Sequence, residues 1–476
     1  MHQKPRLLAL FISLVMLLTG LFGTHANAAA PIRVLLNGRP LSFDVPPIIE
    51  GGRTLVPFRA IGEALGVAVH WDNAQQLVRA ERGTLVVEFK IGSHTANVGG
   101  SPVPLDVPAV VRQNRTLVPL RFFSQAFGAQ VAWDNATRTV TISTGPTPLY
   151  VLGYYFSRSY PDFMENYGEL SGTAFKWYTL DEKGRLTGQA ASRGISVPEG
   201  YREPLTVAAR AGVETYALVF ENVPDKLHQV LNDRALGDQL IADIVDLLTR
   251  EGFTGVNIDF EMVREGDGPA LTSFIERLGK TLKAQGKKLA LSLPARTETG
   301  WHRAYDYEAL GRTADQVVIM AYDKSPSVPS PQTPLPWVRE VVDYTLKRIP
   351  AEKVLLGLGL YGYDWSPAGR RTILFARNGL DAYVSYLDDI LSRYRPEVKW
   401  DESAALPYFT YKDEKGQDHT VWYENTASLR TKLDLVREKG LAGVAFWRLG
   451  YATPEFYRLL AEYFTPLKPR LPQTAR

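Results

Sequence analysis

Three polar side chains alternate with apolar ones in the stretch Gly252–Val263, which reads GFTGVNIDFEMV. Successive side chains of a β-strand point to opposite faces, so Asn257, Asp259 and Glu261 share one face and the apolar residues between them share the other. Two carboxylates held close together push their pKa values apart, which keeps one of them protonated near neutral pH. The pattern favours a general acid beside an ionised carboxylate. The alternative is a pair of strand-end acids that cap a helix or bind an arginine.

Apolar runs that alternate with helical stretches predict the elements that hold this pair. Eight such runs, with helices predicted between them, for example over residues 233–250 and 269–285, indicate an α/β fold, a (β/α)₈ TIM barrel of parallel strands. The runs begin at Tyr150, Ala174, Glu214, Thr254, Lys288, Gln316, Lys353 and Gly443. The active site of such a barrel lies at the carboxyl ends of the strands, and Glu261 ends the fourth run.

The sequence between the seventh and eighth runs is longer than one loop and one helix require. Residues 366–424 contain a helix-like segment near residues 380–394 and the strand-like segments LPYFTY and HTVWYE. We therefore predict a small α+β insertion whose walls shape a cleft.

A sequence repeat fills the N-terminal part of the chain. RTLVPFRAIGEALG from Arg53 returns as RTLVPLRFFSQAFG from Arg115, an offset of 62 (115 − 53). Each copy predicts an extended segment, a short amphipathic helix that ends at a glycine, a Trp-Asp-Asn turn and a further strand. We expect a small tandem-repeat α+β domain over residues 31–143 and a stiff linker over residues 144–149. The barrel domain is expected over residues 150–466.

The tandem pattern resembles the copper amine oxidase N-terminal-like domain, a module of exported bacterial proteins. No copper site is predicted, because His70 and His94 are the only histidines in the repeats and copper favours several nitrogen or sulfur ligands. One interpretation is a stalk or wall-associating module in which the RTLVP core serves packing and turns. The other is a dedicated glycan-binding site.

Three motifs of the barrel resemble those of glycoside hydrolase family 18. The run GVNIDFE ends as the acidic signature of that family ends, MAYD from Met320 matches its Met-x-Tyr-Asp motif on the sixth strand, and Trp447 matches its last-strand tryptophan. The resemblance covers about residues 150–464. It implies a glycosidase that cleaves β-1,4 bonds after N-acetylglucosamine by a retaining, substrate-assisted mechanism, an exception to the usual two-carboxylate scheme.

The resemblance also implies a role for each matching residue. Glu261 would protonate the glycosidic oxygen and later activate water, while Asp259 would orient the 2-acetamido group of the substrate. Tyr322 would donate to the acetamide carbonyl oxygen. The ring of Trp447 would stack on the apolar face of the sugar. Further predicted substrate-binding residues are Asn257, Asp323, Met320 and Tyr154.

Two positions depart from the family signature, since Thr254 and Asn257 stand where acids are usual. Family members that act on peptidoglycan often carry this asparagine, so the change points to peptidoglycan of the cell wall or the spore cortex. It also leaves fewer charges behind Asp259, which should alter its titration. A chitinase, a catalytically silent lectin of the same fold and a wall-structural protein are the alternatives. The intact Asp259, Glu261 and Tyr322 argue against the lectin.

Aromatic residues near the predicted strand ends or in the insertion are candidates for the walls of a glycan groove, although aromatic residues also fill cores. They are Tyr154, Tyr155, Tyr361, Tyr363, Trp365 and Trp422. His228 and His302 are expected at the surface or in packing. No metal-ligand spacing is visible, and neither a metal nor an organic cofactor is predicted.

The first 28 residues predict a secretory signal peptide, because Lys4 and Arg6 precede an apolar run over residues 7–22 and a small-x-small cleavage site at residues 26–28. The chain has 476 residues and no cysteine, which excludes thiol catalysis. Its formal charge of +3 falls to +1 without Lys4 and Arg6 (3 − 2), too low for nucleic-acid binding. We expect a bacterial protein, secreted or associated with the wall or spore, with no membrane span after cleavage and an N-acetylated glycan as its partner.

Overall fold

The structure is a computed structural model that describes residues 31–83, 85–325, 327–374 and 384–468. The predicted signal peptide therefore lies outside the described residues. The chain divides into two compact units, residues 1–144 and residues 145–476. Within the described ranges, no helix has the length and apolar character needed to cross a membrane.

The first unit contains thirteen strands and two short helices in its described part. The strands are Arg33–Leu36 (β1), Arg39–Pro40 (β2), Ile48–Glu50 (β3), Arg53–Pro57 (β4), Ala68–Asp72 (β5), Leu77–Arg82 (β6), Leu85–Lys90 (β7), Thr95–Val98 (β8), Ser101–Pro104 (β9), Val110–Arg112 (β10), Arg115–Pro119 (β11), Ala129–Asp134 (β12) and Thr139–Thr144 (β13). The helices are Phe58–Ala64 (α1) and Leu120–Ala126 (α2).

The two repeats meet at an antiparallel strand pair, β4 with β11, in which Val56 lies opposite Val118. These residues are 62 positions apart (118 − 56), which is the offset of the sequence repeat. The pairing therefore relates the copies by a pseudo-two-fold axis. Each helix is followed by a glycine in the left-handed conformation, Gly66 with φ +65° and Gly128 with φ +82°. Glycine is favoured at these positions because a side chain would be strained there. One hydrophobic core takes side chains from both copies.

The second unit contains strands β14 to β31 and helices α3 to α12 in its described part. The strands are Thr147–Tyr155 (β14), Gly172–Leu180 (β15), Leu186–Thr187 (β16), Gln189–Ala190 (β17), Ile195–Ser196 (β18), Glu214–Glu221 (β19), Gly255–Phe260 (β20), Lys288–Pro294 (β21), Gln316–Met320 (β22), Val354–Gly359 (β23), Gly362–Ser366 (β24), Gly369–Leu374 (β25), Val384–Tyr386 (β26), Lys399–Asp401 (β27), Leu406–Lys412 (β28), Asp418–Trp422 (β29), Gly443–Trp447 (β30) and Phe464–Pro466 (β31). The helices are Tyr160–Asn166 (α3), Arg202–Arg210 (α4), Pro224–Asn232 (α5), Arg234–Glu251 (α6), Gly268–Ala284 (α7), Tyr307–Thr313 (α8), Leu335–Leu346 (α9), Leu387–Tyr394 (α10), Thr426–Lys439 (α11) and Pro454–Tyr463 (α12).

Eight parallel strands close into a barrel in the order β14, β15, β19, β20, β21, β22, β23, β30, with β30 pairing back to β14. The predicted (β/α)₈ fold is therefore confirmed, and each of the eight apolar runs is a barrel strand. Along β20, Val256, Ile258 and Phe260 pack outward in the core shared with the helices. The interior holds residues such as Leu218 and Tyr216 of β19. Because both faces of each strand are buried, the runs are almost continuously apolar.

A six-stranded sheet lies between the seventh and eighth barrel strands in the sequence, in the order β26, β25, β24, β29, β28, β27. Its core includes Ile373, Phe409 and Val421, and helix α10 packs against it. The sheet begins at Gly362, directly after β23. Part of the helix predicted near residues 380–394 lies outside the described residues, and the described helix is α10.

Candidate active site

Asp259 and Glu261 lie at the carboxyl end of the fourth barrel strand, β20. Asp259 is 4% exposed. The main-chain N–H of Glu261 donates to the carbonyl oxygen of Glu221 at 2.8 Å and extends the pairing of β19 with β20 beyond the strand. Met262 then turns the chain with a φ of +60°. A non-glycine residue in this left-handed region is uncommon, and such residues cluster at active sites.

A lysine two strands away in the barrel contacts Asp259. Lys176 of β15 lies with its Nζ 3.3 Å from Oδ2 of Asp259, and the two side chains are 10% and 5% exposed. The same Nζ lies 3.5 Å from the ring centroid of Phe220 and 4.7 Å from that of Trp447. Lys176 shares the inward face of β15 with Ala174 and alternates with the outward Phe175 and Trp177, so its side chain enters the barrel interior. Sequence reasoning missed Lys176, although a lone lysine in the apolar run AFKWYTL was a signal.

The two carboxyl groups titrate differently because their surroundings differ. Burial raises the pKa of Asp259 above its ordinary value, while the positive charge of Lys176 opposes the rise. Burial, together with the negative charges of Asp259 and Asp323, raises the pKa of Glu261 to about 7, again against Lys176. Near neutral pH the site can therefore hold an ionised Asp259 beside a protonated Glu261, the pair that acid catalysis needs.

Asn257 belongs to a buried chain of hydrogen bonds across the barrel interior. Its Oδ1 accepts from the hydroxyl of Ser292 at 2.9 Å, and that hydroxyl lies 2.7 Å from the phenol oxygen of Tyr154. Among the described residues, Nδ2 of Asn257 and Oδ1 of Asp259 have no hydrogen-bond partner although both atoms are buried. Buried polar atoms are usually satisfied, so Oδ1 of Asp259 is an acceptor available to a ligand.

Tyr322 and Asp323 follow the sixth barrel strand, β22, which ends at the half-buried Met320. Burial and the negative charges of Asp259 and Glu261 raise the pKa of the Tyr322 phenol well above its ordinary value, so its hydroxyl stays a donor. Asp323 has a φ of +57° and thus turns the chain in the left-handed conformation, as Met262 does after β20.

The carboxylate of Asp323 organises two phenols that follow the seventh barrel strand, one just before β24 and one within it. Its Oδ1 accepts from the hydroxyl of Tyr361 at 2.8 Å and from the hydroxyl of Tyr363. The ring of Tyr361 lies 6.3 Å from that of Tyr322, nearly perpendicular to it. Asp323 therefore holds an aromatic wall beside Tyr322.

Trp447 ends the eighth barrel strand, β30, and is half-buried. Its ring lies 5.8 Å from the ring of Tyr154 and 5.9 Å from that of Phe156, and the peptide that joins it to Arg448 is cis. The Nζ atom of Lys176 therefore contacts both the indole of Trp447 and the carboxylate of Asp259.

The other aromatic candidates divide between the site and the cores. Tyr361, Tyr363 and Trp365 belong to a cluster that also contacts Tyr322 and Trp447. Trp422 packs against the same cluster. The expectation for Tyr155 as a groove residue is wrong, because it follows the inward Tyr154 on the strand and therefore points outward, where it packs against Phe163 and Phe175.

Thr254 lies at the opposite end of the fourth strand from Glu261. The two residues are seven positions apart in the sequence, which corresponds to a distance of about 23 Å along a strand. Its hydroxyl accepts from the main-chain N–H of Thr215 at 3.1 Å, so its contact is structural. His228 pairs with Asp267 at 2.8 Å and its side chain is half exposed.

Comparison with known proteins matches both units of the chain. Residues 35–142 match the Copper amine oxidase N-terminal domain, and residues 221–452 match Glycosyl hydrolases family 18. The barrel domain belongs to glycoside hydrolase family 18. The first unit of this family 18 protein is accordingly a copper amine oxidase N-terminal-like domain.

Relatives of the family 18 barrel include enzymes of spores and chitinases. The cortical fragment-lytic enzyme of Bacillus subtilis is 31% identical over 254 residues, which are 51% of this chain and 58% of that enzyme. The crystal structure of a chitinase from Chromobacterium violaceum ATCC 12472 is 27% identical with a TM-score of 0.59, and the match covers 66% of this chain and 98% of the chitinase. The spore cortex-lytic enzyme SleL of Bacillus cereus shares the fold at 23% identity and a TM-score of 0.59, over 68% of this chain and 76% of that one.

The matched part of the chain spans 57% to 65% of the length of four curated Bacillus relatives, less than two thirds of each. The activities in the names of those proteins therefore describe the relatives.

Proposed function

We propose that this family 18 protein is a glycosidase that hydrolyses β-1,4 bonds after N-acetylglucosamine in peptidoglycan, by substrate-assisted retaining catalysis. The observation that carries the proposal is the pair at the end of β20. Asp259 contacts a lysine whose positive charge favours the ionised carboxylate, while the pKa of Glu261 is raised to about 7, so that about half of Glu261 keeps its proton at pH 7. An acid matched in pKa to the working pH is the requirement for protonating a leaving-group oxygen.

In the proposed reaction, Glu261 donates its proton to the glycosidic oxygen as the bond to the anomeric carbon breaks. The acetamide carbonyl oxygen of the same sugar attacks that carbon and forms a cyclic oxazolinium ion. Glu261, now a carboxylate, takes a proton from the water that opens the ring. The product keeps the configuration of the substrate because the anomeric carbon is inverted twice.

The other residues supply the contacts that the cyclic intermediate requires. Oδ1 of Asp259 has no partner among the described residues and is placed to accept from the acetamide N–H. The phenol of Tyr322 stays protonated and donates to the acetamide oxygen as that atom reacts. Trp447 offers an apolar face on which the sugar stacks. The sugar in the cleaved position must therefore carry an N-acetyl group.

Peptidoglycan is the preferred substrate because a Bacillus subtilis relative is named as a cortical fragment-lytic enzyme. Chitin is the second candidate, because a chitinase structure matches the barrel at 27% identity over 98% of its own length. A silent lectin is disfavoured, since the acid, the carboxylate and the phenol are all present.

Digestion of three substrates separates these possibilities. Purified spore-cortex peptidoglycan, vegetative wall peptidoglycan and chitin oligosaccharides are incubated with the protein, reduced with borohydride and analysed by mass spectrometry. Reduced N-acetylglucosamine ends from peptidoglycan are expected. Reduced muramic acid ends would contradict the proposed bond, and products from chitin alone would assign the protein to the chitinases.

We also propose that the protein is exported, that it works at the wall or spore, and that its first unit binds the wall glycan. The first unit contains a cavity of about 480 Å³ whose lining includes Trp133, Phe122, Arg53 and Asp106. The volume is within the range of small-molecule sites, and an aromatic ring among charged groups suits a sugar. Arg53 and Asp106 pair at 2.6 Å and fix the rim of the cavity.

The sequence repeat provides a matched control for this binding site. Trp133 lines the cavity, whereas Trp71, its equivalent 62 residues earlier, is not among the lining residues. Cosedimentation of the full chain with peptidoglycan sacculi is expected to weaken about tenfold for Trp133→Ala and to stay near the parent value for Trp71→Ala. Equal binding by both variants and the parent would contradict the proposed site.

A further inference from the structure

Lys176 is a buried cation that none of the family motifs includes. It stands on β15, two strands away from the carboxylates of β20, on a strand whose other residues are buried and mostly apolar. Its ammonium group contacts Oδ2 of Asp259 at 3.3 Å and lies over the ring of Phe220. A charge in such surroundings is costly unless it is paired, so a lysine here implies a function for the pair.

We infer that Lys176 is a positioning residue for the proposed hydrolysis: it anchors Oδ2 of Asp259 as an ionised carboxylate and leaves Oδ1 for the acetamide N–H of the substrate. This inference rests on the proposed function and deepens it. Two observations support it independently of titration. Oδ2 is the atom that contacts the lysine, and Oδ1 lacks a partner among the described residues.

The neighbouring position 257 explains why a cation is needed. Asn257 stands where the family signature has an acid, and its Oδ1 accepts from Ser292. Its Nδ2 has no hydrogen-bond partner among the described residues, so the amide is not bonded to Asp259. The contact to Asp259 comes instead from Lys176, which supplies both a hydrogen bond and a compensating charge.

Charge balance then determines the ionisation of the whole site. Lys176 lowers the pKa of both Asp259 and Glu261 against the burial that raises them. The other titratable groups that face the pair are the carboxylate of Asp323, whose negative charge raises the pKa of Glu261, and the phenols of Tyr154, Tyr305 and Tyr322, whose own pKa values the two carboxylates raise. Among these described groups, Lys176 supplies the positive charge.

The test is the pH dependence of kcat/KM for Lys176→Met, measured on the glycan that the parent protein cleaves. The activity needs Asp259 ionised and Glu261 protonated, so it has an acidic and a basic limb. Removing the positive charge raises both pKa values, and the acidic limb is expected to move up by about 1–3 pH units, the usual effect of a nearby opposite charge. Lys176→Arg keeps the charge and is expected to keep the limbs of the parent even where kcat falls.

Lys288→Met is the matched control. Lys288 pairs with Glu214 at 2.6 Å, also between barrel strands, but at the amino end of β21 rather than at the site. The control variant should lose some thermal stability and keep both limbs. If Lys176→Met does not fold, Lys176→Gln is used, which keeps a hydrogen-bond donor but has no charge.

An unchanged acidic limb in the folded, uncharged variant would overturn the inference, as would an equal shift in Lys176→Arg. A parent protein that cleaves no glycan is a different result, because it would refute the proposed function itself. The inference about Lys176 would then fail together with the proposed function. Activity of the parent protein therefore distinguishes a failure of the inference alone from a failure of both.

Discussion

The substitution Asp259→Asn tests the electrostatic coupling that makes Glu261 an acid. The change is isosteric and removes one negative charge from β20. Asp259 and Glu261 are next neighbours on one face of the strand, about 6.6 Å apart along it. At an effective dielectric constant of about 20, two unit charges at that separation interact by about 2.5 kcal/mol, which equals about 1.8 pKa units.

The pKa of Glu261 should therefore fall from about 7 to about 5. Burial, the largest cause of the raised pKa, remains in the variant, as does Lys176, whose charge lowers the pKa further. At pH 6 the protonated fraction of Glu261 would drop from about 90% to about 15%. The basic limb of the residual activity should move to lower pH by the same amount.

Two assays measure this shift. The pH profile of kcat/KM with a fluorogenic aryl β-chitobioside reports the pKa of Glu261 in the free enzyme. Carbon-13 labelling of the glutamate carboxyl groups follows the same titration without any need for activity, and the resonance of Glu261 is assigned by its absence in Glu261→Gln. A pKa that stays at its parent value in Asp259→Asn would refute the claim that the charge of Asp259 acts on Glu261.

Three further substitutions give distinct results. Tyr322→Phe removes one donor to the developing charge and should lower kcat/KM by about 10²–10³-fold with the melting temperature kept, as enzyme kinetics and a thermal melt will show. Asp323→Asn removes a negative charge that raises the pKa of Glu261, so the basic limb should move to lower pH, while asparagine tolerates the φ of +57° at this position. Ser292→Ala breaks the link between Tyr154 and Asn257, and urea unfolding should show a loss of about 1–3 kcal/mol for the two hydrogen bonds.

The barrel could be predicted from the sequence because each strand is buried on both faces. Each apolar run had to lie in the parallel sheet, and the polar alternation at residues 257, 259 and 261 marked the strand end that faces the site. The same period of two should have excluded Tyr155, since it follows the inward Tyr154, yet composition alone made it a groove candidate.

The polar partners of the site could not be predicted, because they come from distant parts of the chain. Lys176 meets Asp259 across 83 residues, from a strand that lies two places away in the barrel. Tyr361 and Tyr363 reach Asp323 across 38 and 40 residues. Spacing within one segment carries no information about such pairs, since only closure of the barrel brings the strand ends together.

The rate of product release from spore-cortex peptidoglycan by Glu261→Gln, set beside Glu265→Gln, tests the central claim most directly. Both substitutions remove one carboxylate from the same loop, but the side chain of Glu265 is 71% exposed and pairs with Arg303 at 3.9 Å. We expect Glu261→Gln to abolish the release of reducing N-acetylglucosamine ends and Glu265→Gln to retain the parent rate. Parent-level release by Glu261→Gln would contradict the assignment of Glu261 as the acid, and with it the mechanism proposed for this barrel.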